Sequence, residues 1–324
     1  MRSYRRWALT IALIAAAIFL VAFSFGDHGP TLAKTTSATR DGEGTAAHAR
    51  ESALLPAPSK HAGETKLPPV ALPLKQSFAE LQELAGEGNA EAASRLYAQM
   101  MSCNRKAQLQ SRFQDSINAL TPLADVPDRS EEERSQLISS IRKTREWMDL
   151  LQQRCEGIDQ RELAQIVSIT LQAARLGDKE ARECYIHRGP LSNPQAAIVD
   201  PSMFDTYRNE VGPLIDAALA QGDWRVVDML RFAYGPNGNS LLTGITGFDS
   251  SQQYRYTKLY RLGATNNGRA KMLDEELSTL GQTLTPAQIA DADSWAQSSI
   301  SHFTGSSTDA VPSAWDACGV SIPL

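Results

Sequence analysis

The sequence predicts an all-α domain over residues 76–324, built as a solenoid of helical hairpins or as an irregular helical bundle, after one transmembrane helix and a disordered linker. Helix-capping residues precede the apolar segments of the domain, and the apolar residues recur at helical rather than alternating spacing. An uncharged segment of 19 residues near the amino end predicts the transmembrane helix. The composition, with 42% hydrophobic and 21% charged residues in 324, excludes collagen-like, wholly disordered and polytopic membrane proteins.

The amino-terminal segment, residues 1–26, is predicted to anchor the chain in a membrane. Three arginines precede residues 7–25, which carry no charge and as a helix would measure about 28 Å, close to the hydrocarbon thickness of a bilayer. Because the positive charges come first, the amino end is expected to stay in the cytoplasm. We therefore predict a single-pass protein of the bacterial inner membrane, in contact with the membrane through residues 7–25 and with its bulk in the periplasm. The alternative is a cleaved signal peptide and a secreted protein, although residues 7–25 exceed the ~7–15 residues usual for a signal-peptide core.

Residues 27–75 are predicted to form a disordered tether between the anchor and the domain. This stretch contains six prolines and no aromatic residue, and small or polar residues dominate it. Such a composition cannot bury enough apolar surface to offset the entropy of the chain. The tether is therefore expected to let the domain reach well above the membrane.

The charge of the chain is unevenly distributed. The whole chain carries −5, from 32 Lys and Arg against 37 Asp and Glu, whereas residues 76–324 alone carry −9. An acidic exported domain has little electrostatic attraction to nucleic acid or to anionic lipid. We therefore predict no nucleic-acid partner.

Capping sequences mark the predicted helices. The predicted cap residues, whose side chains can accept a backbone N–H of the first turn, are Ser77, Asn89, Ser130, Asp159 and Thr285. The last three are followed by Glu or Gln at the third position, which is the capping-box pattern. The helix that begins after Ser130 is expected to be long, with an apolar face formed by Leu137, Ile141, Met148, Leu151 and Cys155. The helix after Asp159 is expected to carry residues 163–176 and to stop at Gly177.

A glycine followed by a capping residue recurs along the domain. The pairs lie at 88–89, 177–178 and 222–223, with a weaker fourth copy at 263–264, so the glycines are 89, 45 and 41 residues apart. The glycine permits a left-handed turn at a helix end, and the Asx residue caps the next helix. A period near 40–45 residues predicts a solenoid of helical hairpins.

The pattern Ala-Ala-x2-Gly-Asp-x2-Ala at residues 173–181 resembles Sel1-like repeats, the bacterial relatives of tetratricopeptide repeats. The resemblance covers scattered pieces of residues 76–324. Most copies lack the Leu-Gly-x2-Tyr centre of the family, and residues 104–155 lack the glycine joint. The resemblance implies stacked helical hairpins, and it implies protein–protein interaction rather than catalysis.

The four cysteines form an even set in a chain predicted to be exported, which predicts two disulfides. Three pairings are possible. We favour Cys103 with Cys155, because both would end helices that flank one long insertion, and Cys184 with Cys318, which would fix the carboxyl-terminal tail to the middle of the domain. Buried free thiols or a reactive cysteine are the alternatives, and the cysteine spacing does not match a zinc motif.

The glycine-rich segment 235–247 is predicted to be a long irregular loop, and two interpretations stay open: a connector between helices, which is the commoner role of such loops, or the lining of a groove for a partner protein. Long loops often carry binding residues, and aromatic residues are concentrated near this one. The candidate partner-binding residues are Tyr234, Phe248, Tyr254, Tyr256 and Tyr260. A phosphate-binding loop is excluded, because no Gly-Lys-Ser/Thr sequence follows a strand here.

The favoured interpretation is a scaffold that binds one or more envelope proteins, whose identity the sequence does not define. One alternative is an exported enzyme acting on cell-envelope material, which His187 or His302 beside carboxylates in a deep pocket would support. Another is a secreted effector with a cleaved signal peptide. The sequence contains neither Gly-x-Ser-x-Gly nor His-Glu-x2-His, and we predict no catalytic residue, cofactor or metal ligand.

Overall fold

The fold is all-helical throughout the part of the chain that the structure, a computed structural model, describes. The described residues are 66–124, 126, 130–236, 238–305, 307–313 and 317–319. They form fourteen α-helices, three short 3-10 helices and no strand, which confirms the predicted class. The predicted anchor, residues 7–25, and most of the tether lie outside these residues. Within them, no helix combines the length and the apolar character that a membrane span requires.

The helices are, in chain order, α1 (Leu74–Gly86), α2 (Ala90–Asn104), α3 (Lys106–Ala124), α4 (Glu131–Arg154), α5 (Gln160–Leu163), α6 (Ile166–Arg175), α7 (Lys179–Arg188), α8 (Pro194–Val199), α9 (Ser202–Ala220), α10 (Trp224–Ala233), α11 (Leu241–Thr246), α12 (Ser250–Leu262), α13 (Asn267–Gly281) and α14 (Pro286–Ser299). The 3-10 helices are Gly189–Ser192, Ile300–His302 and Thr308–Ala310.

Consecutive helices pack as pairs, and the pairs contact one another in order. The pairs are α1 with α2, α6 with α7, and α9 with α10. The second helix of each pair lies against the first helix of the next, so α2 contacts α6, α7 contacts α9 and α10 contacts α12. Helix α12 also packs on α13 and α14. Additional helices interrupt this order, the largest of them being the hairpin of α3 and α4 between α2 and α6.

Three of the predicted glycine joints have the same geometry. Their glycines have left-handed φ angles of 91°, 98° and 70° at Gly88, Gly177 and Gly222. In each joint the next residue donates its N–H to the helix carbonyl five positions back, at 3.0 Å, which closes a Schellman turn. The same residue then caps the following helix through its side chain, as predicted for Asn89, Asp178 and Asp223.

The fourth glycine, Gly263, has a different role. Its φ of −84° is right-handed, so no left-handed turn requires glycine here. A Cβ at this position would lie 2.5 Å from the ring of Trp224 and 2.9 Å from Cγ2 of Thr308. The fourth joint therefore uses glycine because two neighbouring side chains approach its backbone closely.

The folded part begins earlier than predicted. Helix α1 begins at Leu74, so Ser77 does not cap it; Ser77 is buried in the first turn and bonds to the carbonyl oxygen of Leu74. The guanidinium of Arg95 donates to the carbonyl oxygens of Pro68 and Pro69, which holds the preceding segment against α2. Burial of Leu74 in the core outweighs the local capping preference of Ser77, and residues 66–75 are part of the folded domain.

The predicted helix over residues 163–176 is interrupted. Asp159 and Glu162 form the predicted capping box, but α5 ends at Leu163 and α6 begins at Ile166. The side-chain amide of Asn193 donates to the carbonyl oxygen of Leu163, at 3.2 Å. A contact from outside the helix thus takes the acceptor that a continuing helix would have used.

Helices α3 and α4 form an antiparallel hairpin that packs mainly on itself and on α2. The predicted capping box at Ser130 and Glu133 is present at the start of α4. Phe113 and Trp147 pack between the two helices, with their ring centroids 4.9 Å apart. The hairpin is an insertion between α2 and α6, at the position predicted for the unit without a glycine joint.

The segment after α14 returns across the domain as a strap, residues 307–313 and 317–319. The carboxylate of Asp309 accepts the backbone N–H groups of Thr265 and Asn266, at 2.9 and 2.7 Å. Cys318 is joined to Cys184 of α7. The strap therefore links the α12–α13 joint to the middle of the domain.

Candidate functional site

A groove lies where the end of α10 and the glycine-rich loop meet α12 and α13. Its volume is about 440 Å³, within the range of sites that hold small ligands or the side chains of a peptide. The residues that line this loop groove are Arg231, Phe232, Gly235, Pro236, Gly238, Gln253, Met272 and Glu276. They come from one loop and three helices, so the groove is a product of the tertiary fold.

The walls of the loop groove are apolar and accessible. The side chain of Phe232 is 40% exposed and that of Met272 is 53% exposed, and Pro236 is also exposed. Aromatic residues and methionine are enriched at protein interfaces, because they offer large contact areas and, for methionine, an adaptable shape. The walls thus have the chemistry of a docking surface.

Arg231 and Glu276 form the floor of the loop groove, and with Asp228, which is buried behind the lining, they make a charge triad in which one guanidinium lies between two carboxylates. Nε of Arg231 is 2.6 Å from Oδ1 of Asp228, and Nη1 of Arg231 is 2.9 Å from Oε2 of Glu276. Arg231 and Asp228 are buried, whereas the Glu276 side chain is 29% exposed. The guanidinium carbon of Arg231 also lies 4.1 Å from the ring centroid of Phe232, so a cation–π contact joins the floor of the groove to one wall.

The glycine-rich segment is more ordered than predicted. The prediction of one irregular loop over 235–247 is wrong in part, because residues 241–246 form α11, which Ser240 caps. Leu242 is buried in the main core and holds this short helix in place. At Gly238 a Cβ would lie 2.9 Å from the carbonyl oxygen of Phe232, so only glycine fits this position. The loop is therefore a shaped wall of the groove.

The five predicted partner-binding aromatics do not line the loop groove. Tyr254 and Tyr260 are buried, and burial raises the pKa of both phenols. Tyr234 and Tyr256 are half-buried and stack on each other at 5.7 Å. Phe248 is 62% exposed, at the end of the loop.

The candidate residues chosen from the sequence do not include those that line the loop groove. Phe232 and Met272 carry the apolar walls, and Arg231, Gln253 and Glu276 form the polar lining. Phe232 follows the buried Arg231 and precedes the buried Ala233 on α10. An aromatic residue on the outward face of an amphipathic helix was the signal that could have identified it.

Both favoured disulfide pairings are the pairings in the structure. Cys103 and Cys155 join the end of α2 to the end of α4, with their Cα atoms 5.4 Å apart. Cys184 and Cys318 join α7 to the strap, with a Cα separation of 4.6 Å. The first disulfide closes the base of the α3–α4 hairpin, and the second holds the strap.

A second group of buried charges lies at the joint between α7 and α10. Arg182 is 3.4 Å from Asp223, and Arg225 is 2.7 Å from Glu183. Burial, and then the negative charge of Asp223, raises the pKa of the Glu183 carboxyl. These ion pairs cross between neighbouring helix pairs, so their role is to fix the joint.

The two histidines of the domain differ in their surroundings. A cavity of about 210 Å³ is bordered by Asp216, Ser299 and His302, but no hydrogen bond joins these side chains among the described residues. Burial, and then the cations Arg188 and Arg225, lowers the pKa of His187. A hydrolytic relay needs hydrogen bonds between a nucleophile, a base and a carboxylate. Because neither histidine has been placed in such a relay, the exported-enzyme hypothesis stays a prediction.

Across the described ranges no group of three or more His, Cys, Asp or Glu side chains is placed to hold a metal ion.

Comparison with protein-family models, with curated protein sequences and with solved structures finds no match for the chain. The resemblance to Sel1-like repeats therefore stays a prediction, which rests on the residues of the glycine joints.

Proposed function

We propose that this protein is a membrane-anchored envelope protein whose helical domain acts as a scaffold and docks a segment of another envelope protein in the loop groove. The observation that carries the proposal is the pair of exposed apolar walls, Phe232 and Met272, beside a charge triad whose Glu276 carboxylate is partly exposed. Interface centres typically combine aromatic or methionine anchors with a few placed polar groups. The loop groove has both.

We propose further that the helix pairs form a solenoid of Sel1-like or tetratricopeptide-like hairpins. The order of contacts, with the second helix of one pair against the first helix of the next, supports this arrangement. The same Schellman turn and side-chain cap at three joints also support it. In this view the α3–α4 hairpin is an insertion between the first two repeats.

The proposed location is the bacterial inner membrane, with residues 7–25 in the membrane and the domain in the periplasm. Two disulfides are typical of proteins in oxidising compartments and support this location. The mass of the intact mature chain tests the anchor, because a cleaved signal peptide would remove the first residues. Protection of the domain from protease in whole cells, and its digestion in spheroplasts, is the result expected for a periplasmic domain.

Photo-cross-linking in intact cells tests the docking function. Phe232→benzoylphenylalanine places a reactive ring on the groove wall, and the same substitution at Val199 places one on α8, at a residue 82% exposed and outside the groove. We expect position 232 to cross-link one envelope protein that position 199 does not. Met272→Ala should lower the yield at position 232, because it removes the opposite wall. Equal products at positions 232 and 199 would contradict the proposed function.

A further inference from the structure

We infer that the loop groove recognises a basic side chain, lysine or arginine, on the docked segment. This inference rests on the proposed docking function and specifies the chemistry of the partner at that site. The charge triad on the floor carries a net charge of −1, because Arg231 is shared between Asp228 and Glu276. Other acidic residues of α13 pair outside the groove, Asp274 with Arg261 and Glu275 with Lys271. The excess charge therefore lies on the floor of the groove.

The polar lining of the groove offers acceptors. The Glu276 carboxylate is accessible from the groove, with 29% of its side chain exposed. A ligand that covers this carboxylate and donates hydrogen bonds to it gains more than a ligand that covers it and cannot donate. Ammonium and guanidinium groups donate three and five such bonds, respectively.

The apolar walls suit the stem of the same side chain. Lysine and arginine carry a methylene chain that packs on apolar surface while the charged end reaches polar partners. Phe232 and Met272, which both line the groove, provide that surface. An acidic side chain would meet the excess negative charge, and an apolar one would cover the Glu276 carboxylate without donating to it. A basic residue can pack its stem on the apolar walls and pair its charged end with the Glu276 carboxylate at the same time.

Peptide selection on the full chain provides the test. A library of random heptapeptides is selected on the purified wild-type protein, and the peptides that no longer bind the Met272→Ala variant are sequenced. We expect lysine or arginine at one shared position. Replacing that lysine by norleucine, which keeps the stem and removes the charge, should weaken binding about tenfold or more, as expected for the loss of a hydrogen-bonded charge.

Two variants of the protein separate charge recognition from loss of fold. Glu276→Gln removes the excess charge and should remove the preference for lysine over norleucine, whereas Glu275→Gln, whose carboxylate lies outside the groove, should keep it. Met272→Lys adds a positive charge to an exposed wall, four residues before Glu276 on the same helix, where it can pair with that carboxylate in place of a ligand. This change should weaken binding of the lysine peptide about tenfold or more, as for the norleucine replacement. Ser278→Lys, at an exposed residue of the same helix outside the groove, should leave binding of the lysine peptide unchanged.

The outcomes distinguish this inference from the function on which it rests. Groove-dependent peptides without an enriched basic residue would overturn the inference and leave the docking function in place. A lysine preference that survives Glu276→Gln and Met272→Lys would also overturn it. A library that returns no groove-dependent peptide, together with no specific cross-link at position 232, would overturn both.

Discussion

Replacing Gly222 by alanine should destabilise the protein more than the same change at Gly177, although both glycines end a helix in the same type of joint. Both have left-handed φ angles, 70° and 98°, and an alanine held there costs about 1–2 kcal/mol. At Gly177 the new Cβ would meet no atom within 4 Å. At Gly222 it would lie 2.3 Å from the carbonyl oxygen of His302 and 3.1 Å from Cα of Phe303. These are backbone atoms and cannot rotate away, so overpacking adds about 1–3 kcal/mol.

The expected losses are therefore about 1–2 kcal/mol for Gly177→Ala and about 2–5 kcal/mol for Gly222→Ala. Urea unfolding of the full chain, followed by far-ultraviolet circular dichroism, measures both as shifts of the midpoint at constant slope. Gly86→Ala is the matched control, because Gly86 is helical and has open space around it. That change should be neutral or stabilising by up to about 1 kcal/mol. Equal losses at Gly177 and Gly222 would refute the role assigned to the contact with the segment after α14.

Three further predictions concern the disulfide, a buried carboxyl and a cap. Replacing Cys184 and Cys318 together by serine should lower the free energy of unfolding by about 4–5 kcal/mol, as chain entropy predicts for a separation of 134 residues, and the urea midpoint measures this. Because burial raises the pKa of Glu183, ionisation of this carboxyl opposes folding above the raised pKa. The wild type should therefore gain stability relative to Glu183→Gln as the pH falls from neutral through that pKa, and a difference independent of pH would contradict this. Asp178→Ala removes the cap on the N–H of Ala181 and should cost about 1 kcal/mol in the same assay, whereas Asp178→Asn should cost little.

The features that the sequence predicted well depend on neighbouring residues. A cap needs only its own first turn, and a Schellman turn needs only a glycine at the helix end, so Asn89, Asp178 and Gly222 could be assigned without knowledge of the fold. The disulfide pairing followed from the order of helices, because Cys103 and Cys155 flank one insertion.

The features that the sequence missed depend on contacts between distant segments. Ser77 has the local pattern of a cap, but burial of Leu74 extends the helix past it. The walls of the loop groove, Phe232 and Met272, are 40 residues apart in the sequence and meet only when α10 and α13 are packed. Proximity along the chain favours the tyrosines adjacent to the loop as partner-binding residues. Tyr260 instead packs at 6.1 Å from the ring of Trp224 in a second core cluster.

The positions of the cysteines in the sequence determine when the partners of each disulfide become available, and the disulfide of the strap is the last. Cys155 follows its partner by 52 residues, so both thiols of the hairpin base are present well before the chain reaches Cys318. Cys318 follows Cys184 by 134 residues, and until Cys318 has been synthesised the Cys184 thiol can form a non-native disulfide with another cysteine. Ala317 and Cys318 also belong to the main core, which stays incomplete until they arrive. A chain that ends before residue 318 therefore lacks part of its main core and has no native partner for the Cys184 thiol of α7.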